Sequence, residues 1–276
     1  MPDTKFALVF YSGGAGSWAA AKCACDEFGP ENTTLLFTDT KIEHPDLYVF
    51  LREGARVLGC KLIEISDGRT PFEVFLDVKM IGNTRIDPCS RVLKRELAQK
   101  WISENCDPDE TTLIFGIDSF EYHRFDNGEG GGVRPRYAEM GWPHVKCLAS
   151  YGVFTKPYIL SMVAEAGLPL PSLYRKGFPH NNCGGACVKA GRAQWALLLE
   201  QEPETYKKWE KDEAELQRII GTDSTILRDR RGGDTKPYSL KTFREEIEAN
   251  IVRVRDLDDW GGCACFYDDP NAGRLI

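Results

Sequence analysis

The segment that most constrains this chain runs from an apolar strand through a glycine-rich turn into an alanine-rich helix. Its residues are Leu8-Val9-Phe10-Tyr11-Ser12-Gly13-Gly14-Ala15-Gly16-Ser17, followed by Trp18 and three alanines. A junction of this kind presents free backbone N–H groups at the positive end of a helix dipole, which favours an anion. Ser12 and Ser17 add hydroxyl donors on either side of the glycines. The segment therefore predicts a loop that binds phosphate.

The order of the predicted elements places this loop in a sheet. Five segments have the apolar composition of strands: 6–12, 33–38, 61–66, 111–117 and 146–149. Helical periodicity is found between or after them, at 17–28, 45–58, 90–105 and 156–166. The alternation is typical of parallel strands covered by helices. We predict a doubly wound, mostly parallel five-stranded α/β sheet with helices on both faces.

After Pro169 the alternation of predicted strands and helices ends. An extended, proline-broken stretch leads to Asn182 and is followed by predicted helices at 190–201, 203–220 and 240–250. The segment 228–233 is predicted to be a basic loop. One interpretation is that it binds a phosphate or a nucleic-acid backbone, and the other is that it is a run of solvated charges. We predict a nucleotide-binding α/β domain over 1–168 and a cysteine-containing, mainly helical region over 169–276.

Composition limits the class of protein. The chain has 276 residues and a formal net charge of −7, so nothing global marks a nucleic-acid binder, although a local basic patch is compatible with it. No apolar run approaches the roughly 20 residues that span a bilayer, and the N-terminus lacks the layout of a secretory signal. We expect a cytoplasmic protein with no membrane partner.

Ten cysteines are many for such a chain. Without a secretory signal, metal binding or redox chemistry is favoured over a disulfide framework. Four of the ten lie in apolar or periodic stretches and are interpreted as small buried hydrophobic residues: Cys23, Cys25, Cys60 and Cys106.

Polar residues follow three of the predicted strands, at the edge where parallel sheets bind ligands. Asp39 and Glu43 follow the second strand and would hold Mg²⁺ or a ribose hydroxyl, with a turn or helix cap as the other interpretation of Asp39. The predicted nucleotide contacts are Ser12, Gly13, Gly14, Gly16, Ser17, Asp39, Thr40, Gly116, Asp118 and Arg124.

Basic residues also open the predicted helix at 90–105. Arg91, Lys94 and Arg95 stand at the helix end where the dipole disfavours cations. That position is explained if they face an anion, and a solvated helix surface is the alternative.

The pattern Ser-Gly-Gly-x-x-Ser lacks the lysine of a Walker A motif and resembles the PP-loop of ATP pyrophosphatases and the related phosphoadenylyl-sulfate (PAPS) reductases, an adenine nucleotide alpha hydrolase-like group. The segment 37–45 resembles that group's Asp-Thr-Gly-x-x-x-Pro motif in outline. Residues 88–94 resemble its cysteine-then-basic helix start. Residues 167–187 resemble the segment that carries a cysteine pair in the iron–sulfur members. The resemblance covers roughly residues 6–190, in the same order.

The chain departs from that pattern at defined positions. Gly16 stands where many PP-loops have aspartate, and the Glu-Cys-Gly-Leu-His motif that supplies the nucleophilic cysteine of the reductases is absent. The family's paired cysteine is here the single Cys89, and its Cys-x-x-Cys is Cys183-x-x-x-Cys187. Reduction of adenylylated sulfate by the usual route is therefore disfavoured.

The resemblance implies metal ligands among the cysteines. Cys89, Cys183 and Cys187 would supply three thiolates. Either Cys263 or Cys265 would supply a fourth, or the fourth iron of a cluster would stay open for an exogenous sulfur. Thiolates suit iron–sulfur clusters or zinc, and the resemblance favours a 4Fe–4S cluster with zinc as the alternative. A tight turn at 183–187, and plain thiols or a sulfur relay in the tail, are the other interpretations.

The resemblance also implies an activity. We expect a PP-loop enzyme that uses ATP and Mg²⁺ to adenylylate an acceptor, forming AMP and pyrophosphate, and then transfers sulfur to tRNA, DNA or a small molecule. A cysteine desulfurase or a thiol reductant would donate the sulfur, and a homodimer is compatible with this scheme. The residues assigned to catalysis are Asp39, Arg91, Lys94, Cys263 and Cys265. The alternatives are a thiol-dependent PAPS or adenylyl-sulfate reductase and a non-catalytic nucleotide sensor stabilised by zinc.

Overall fold

The first five strands form one parallel sheet. The structure, a computed structural model, describes residues 4–83, 85–231 and 233–261. The strands in these ranges are β1 (Phe6–Phe10), β2 (Thr33–Thr38), β3 (Lys61–Ile65), β4 (Thr111–Phe115), β5 (Val145–Cys147), β6 (Leu227–Asp229) and β7 (Lys236–Tyr238). Strands β1 to β5 run in the order β3-β2-β1-β4-β5, and every neighbouring pair is parallel. The predicted five-stranded parallel sheet is confirmed.

Helices connect these strands and fill the second half of the chain. Those in the described ranges are α1 (Ala15–Phe28), α2 (Pro45–Leu58), α3 (Pro71–Val78), α4 (Pro88–Ser90), α5 (Leu97–Asn105), α6 (Tyr122–Phe125), α7 (Val133–Glu139), α8 (Lys156–Glu165), α9 (Ser172–Arg175), α10 (Arg192–Gln201), α11 (Pro203–Ile220) and α12 (Leu240–Glu248). Within these ranges, no helix combines the length and apolarity that crossing a bilayer requires.

Alternation along β1 separates two hydrophobic cores. Val9 packs in a cluster with residues of α1, α2 and α8, whereas Leu8 and Phe10 pack in another cluster with residues of α5 and α7. Successive strand residues point to opposite faces, so the two clusters lie on the two sides of the sheet. Helices therefore cover both faces, as predicted for a doubly wound fold.

A third cluster forms the core of the second half of the chain. Trp195 packs edge-on against Tyr206 and Trp209, which joins α10 to α11. Phe75 and Ile81 join this cluster from the first half of the chain, so contacts cross the predicted boundary at 168. The division into two domains stays a prediction.

The segment predicted as a basic loop is partly strand. Strands β6 and β7 pair as an antiparallel hairpin, and Arg231 lies just beyond β6. The Arg231 guanidinium binds the carboxylates of Asp229 and Glu246, with distances of 2.8–3.2 Å. Because the guanidinium already binds these two carboxylates, a role for Arg231 in binding phosphate is disfavoured.

Candidate active site

The predicted phosphate loop lies where the strand order reverses. The loop 12–17 follows β1, and Gly116 follows the neighbouring β4, so both lie at the switch point where doubly wound sheets bind ligands. A Cβ added to Gly116 would lie 2.7 Å from the backbone nitrogen of Ser17. The absence of a side chain at Gly116 therefore allows the start of α1 to pack against the end of β4.

Two loop glycines are fixed by their surroundings. Gly13 has a φ of +76°, and a Cβ there would lie 2.7 Å from the side chain of Leu47. A Cβ at Gly16 would lie 3.1 Å from the carbonyl oxygen of Gly116. A side chain at this position, such as the aspartate of many PP-loops, would therefore require the end of β4 to shift by a few tenths of an ångström.

The start of α1 presents unpaired donors. Gly14 caps the helix without a side-chain bond, and the Ala15 N–H donates to the Tyr174 hydroxyl at 3.1 Å. The N–H groups of Gly16 and Ser17 lie in the first turn, and no acceptor for them is found in the part of the chain that the structure describes. The Ser17 hydroxyl donates to the Gly14 carbonyl at 2.8 Å, which makes it a local cap of the turn.

A cleft of about 460 Å³ opens above this loop. Its floor is formed by Ser12, Gly14, Gly16 and Ser17, and its rear wall by Gly116 and residues that follow β4, and the strand ends at Phe10 and Phe115 also line it. The volume lies within the range of about 300–1,000 Å³ that small-molecule sites occupy.

Three cationic side chains line the cleft. Lys94 lies in a wide π-helical turn at 91–96 and is 5% exposed. Arg124 pairs with Glu121, while its buried Nε has no hydrogen-bond acceptor among the described residues. Lys156 donates to the Pro179 carbonyl at 2.8 Å, and burial lowers the pKa of this ammonium group. The cleft therefore holds three cationic groups in a confined space, together with the carboxylates of Asp118 and Glu121.

The carboxylates predicted to meet the nucleotide divide between two places. Asp118 lines the cleft, although its Oδ1 also accepts the N–H groups of Phe120 and Glu121. Asp39 does not line it, because Oδ1 accepts bonds from the Tyr48 hydroxyl and the Lys41 N–H, and Oδ2 pairs with the Lys41 ammonium. Burial alone would raise the pKa of Asp39, but these bonds lower it below its usual range. Asp39 is thus ionised and engaged locally.

Thr40 and Glu43 lie behind the cleft. The Thr40 hydroxyl donates to Glu43 Oε1 at 2.9 Å, and both residues are buried. Glu43 also accepts the backbone N–H of Cys183 and lies 3.5 Å from the Lys94 ammonium. Glu43 therefore ties the segment after β2 to Lys94 and to the turn that carries Cys183.

Three predicted metal ligands share one small cavity. Cys89, Cys183 and Cys187 line a cavity of about 20 Å³ together with Lys94, whose ammonium lies 3.9 Å from Cys183 Sγ. Lys94 thus borders both the cleft and this cavity. Burial raises the pKa of the Cys89 thiol to about 12, and the neighbouring Cys183 adds to this effect.

Cysteine thiolates are suitable ligands for a soft metal ion, but this cavity is too small for an iron–sulfur cluster. The volume of this cavity is about that needed by a single water molecule, which leaves no room for a four-iron cluster. Across residues 4–83, 85–231 and 233–261, no group of three or more His, Cys, Asp or Glu side chains is arranged to hold a metal ion. As placed, the three cysteines do not fit a 4Fe–4S cluster.

The other predicted residues lie outside both cavities or outside the described ranges. Arg91 is on the surface, with 55% of its side chain exposed and Glu96 3.6 Å away. Cys263 and Cys265 lie outside the described residues. Gly261, just before them, forms a bridge with Ala190, three residues after Cys187.

Sequence reasoning missed the wall of the cleft that comes from the second half of the chain. Tyr174, His180 and Trp260 line it, and Trp260 is held there because its carbonyl accepts the Gly191 N–H at 3.0 Å. Tyr174 and His180 lie within the segment 167–187 that resembles the family, but no local pattern marks them or Trp260 as lining the cleft. Lys156 could have been found, since it is the first residue of α8, where a helix dipole disfavours a cation.

No family model matches the chain, and no curated protein matches it. Solved structures do match it, and three of them are described below. An NMN synthetase from Francisella tularensis is 15% identical, with 60% of this chain and 63% of that one covered and a TM-score of 0.40. An NH3-dependent NAD synthetase from Campylobacter jejuni is 14% identical, with 80% and 86% covered and a TM-score of 0.42. A PAPS reductase from Candida auris is 13% identical, with 64% and 79% covered and a TM-score of 0.39.

A PAPS reductase, the kind of protein that the sequence resembles, is thus among these structures. The chain spans less than two thirds of the NMN synthetase. Likenesses of this degree concern the fold alone and carry no argument about what this chain binds or does.

Proposed function

We propose that this protein binds ATP in the cleft above the loop 12–17 and transfers its adenylyl group to an acceptor. The observation that carries the proposal is the pair of unpaired N–H groups at Gly16 and Ser17, which open into a cleft lined by three cations. Backbone donors at a helix start together with confined positive charge favour a polyphosphate over a neutral ligand.

In the proposed reaction, an acceptor oxygen attacks the α-phosphorus of ATP and the bond to the bridging oxygen of the β-phosphate breaks. Pyrophosphate leaves, and the acceptor carries AMP. The loop would hold the departing pyrophosphate, and Lys94 and Arg124 would offset the charge that develops on it. Asp118, which lines the cleft, would hold Mg²⁺, and this ion would neutralise phosphate charge when bound with ATP.

Binding of ATP is the first test. Arg124→Met removes a guanidinium from the cleft, whereas Arg134→Met removes one that pairs with Asp126 on the surface. A charge-assisted hydrogen bond is worth about 1.5–3 kcal/mol, so calorimetry should find ATP binding weakened roughly 10- to 100-fold in the first variant. Equal affinities in the two variants would remove the cleft as the ATP site.

The products test the reaction. ATP labelled at the α-phosphate, incubated with the protein, Mg²⁺ and either bulk tRNA or DNA, should release pyrophosphate and leave the labelled adenylyl group on the nucleic acid. Addition of a sulfur nucleophile should then release the label as AMP. Formation of ADP and inorganic phosphate would contradict cleavage at the α-phosphorus. Release of sulfite from PAPS without any use of ATP would replace the proposal with the reductase alternative.

Sulfur transfer is the finer proposal and stands on the cysteines. Cys183 lies next to Lys94, which also lines the cleft, so a sulfur carried there would be close to an adenylylated acceptor. No step is assigned to a cluster, because the cavity does not fit one. Anaerobic purification followed by iron, zinc and sulfide analysis tests the predicted 4Fe–4S cluster, and a metal-free protein that still transfers sulfur would eliminate it.

A further inference from the structure

Two cysteines outside both cavities lie with their sulfur atoms nearly in contact. The Sγ atoms of Cys25 and Cys60 are 2.8 Å apart. Cys25 lies near the end of α1, and Cys60 directly precedes β3. Both are partly exposed, which differs from the buried apolar role that the sequence suggested for them.

We propose that Cys25 and Cys60 are a redox modification site that forms a reversible disulfide. A disulfide bond is about 2.05 Å long, so the two sulfurs need to approach by less than about 1 Å. The two residues are 35 positions apart in the chain, yet the fold already holds their side chains together. This inference is independent of the proposed reaction with ATP.

The two thiols can take different roles in the exchange. The hydrogen bond between the two sulfurs lowers the pKa of the Cys25 thiol below its ordinary value, although burial acts in the opposite direction, so we take Cys25 as the attacking thiol. The oxidant is a low-molecular-weight disulfide such as oxidised glutathione. The Cys25 thiolate attacks one of its sulfurs, and one glutathione thiolate leaves.

Cys60 completes the exchange. Its sulfur attacks the Cys25 sulfur of the mixed disulfide, and the second glutathione leaves as a thiolate that takes up the Cys60 proton. Two electrons pass from the protein thiols to glutathione, and the products are one protein disulfide and two reduced glutathione molecules.

The bond would fasten the end of α1 to the start of β3. Cys25 lies ten residues beyond Ala15, the start of α1, so it is about 15 Å along the helix from the phosphate loop. We therefore expect the disulfide to stabilise the fold and to leave ATP affinity unchanged.

Peptide mapping of the full-length protein tests this inference. The protein is treated with oxidised glutathione, alkylated and digested with trypsin without reductant. Peptide 23–41 should then be found linked to peptide 57–61, and the melting temperature should rise by roughly 5–10 °C until dithiothreitol is added. Cys25→Ser and Cys60→Ser should each abolish the link, and the matched control Cys23→Ser should keep it.

Three outcomes would overturn the proposal. The proposal is wrong if Cys60 is fully alkylated after oxidation, or if glutathione remains bound to Cys25 in the wild-type protein. It is also wrong if the link persists in Cys25→Ser through Cys23. The wild-type measurement needs no variant, so a variant that fails to fold does not affect the result.

Discussion

Titration of Glu213 makes the free energy of unfolding of this protein depend on pH. This side chain of α11 is 1% exposed, and its carboxylate accepts the N–H groups of Ile226 at 2.8 Å and Leu240 at 2.7 Å. Burial raises the pKa of Glu213 from 4.5 to about 7, although these two bonds act in the opposite direction. The folded protein therefore binds this proton more tightly than the unfolded chain does.

The sign and the size follow from proton linkage. A raised pKa in the folded state contributes stability that is fully present below pH 4.5 and is lost as the pH rises through about 7. At about 1.4 kcal/mol per pH unit, the free energy of unfolding should fall by roughly 3 kcal/mol over this interval because of Glu213 alone.

Denaturant unfolding at pH 4.5 to 8 measures this contribution when variants are compared at each pH. Glu213→Gln cannot titrate, so the difference between its free energy of unfolding and that of the wild type should change by about 3 kcal/mol across the range. Glu204→Gln, on the same helix and 87% exposed, is the matched control and should change little. A difference between wild type and Glu213→Gln that stays constant with pH would refute the reasoning.

Three further variants test the site and its supports. Gly116→Ala places a Cβ 2.7 Å from the Ser17 backbone nitrogen, so calorimetry should find ATP binding weakened at least about tenfold while circular dichroism keeps its helical signal. Lys94→Met removes a buried cation from the cleft and should weaken ATP binding roughly 10- to 100-fold, whereas Arg91→Met on the surface should not; equal effects would contradict the placement of the two residues. Asp46→Asn weakens the 2.6 Å bond from the start of α9, and urea unfolding should give a loss of about 1–3 kcal/mol. An unchanged midpoint would show that this bond contributes no net stability.

Local sequence signals were sufficient for the sheet and the phosphate loop. Strand β1 is continuously apolar because both of its faces are covered, and Gly13 has a positive φ that its position in a tight turn requires. The helix after the loop begins at Ala15, two residues before the predicted start, because Gly14 serves as its cap. These features depend on residues that are neighbours in the chain, so the sequence alone contains the information.

The tertiary structure alone decided which side chains meet. Asp39 follows β2 as predicted, but Tyr48 and Lys41 engage its carboxylate away from the cleft. Tyr174 contacts the phosphate loop and Trp260 lines the cleft above it, although both belong to the second half of the chain, and no short-range sequence pattern predicts these positions. Packing between segments that are distant in sequence sets these positions.

The cysteines separate the two kinds of information most clearly. The spacing of Cys183 and Cys187 in the sequence predicts a turn that carries two thiols. Packing decided that Cys89 joins them around a cavity of only about 20 Å³, and that Cys25 lies against Cys60. The sequence determined the sheet and its phosphate loop because their interactions are local. The surroundings of each reactive side chain depend on long-range packing, which the folded chain alone fixes.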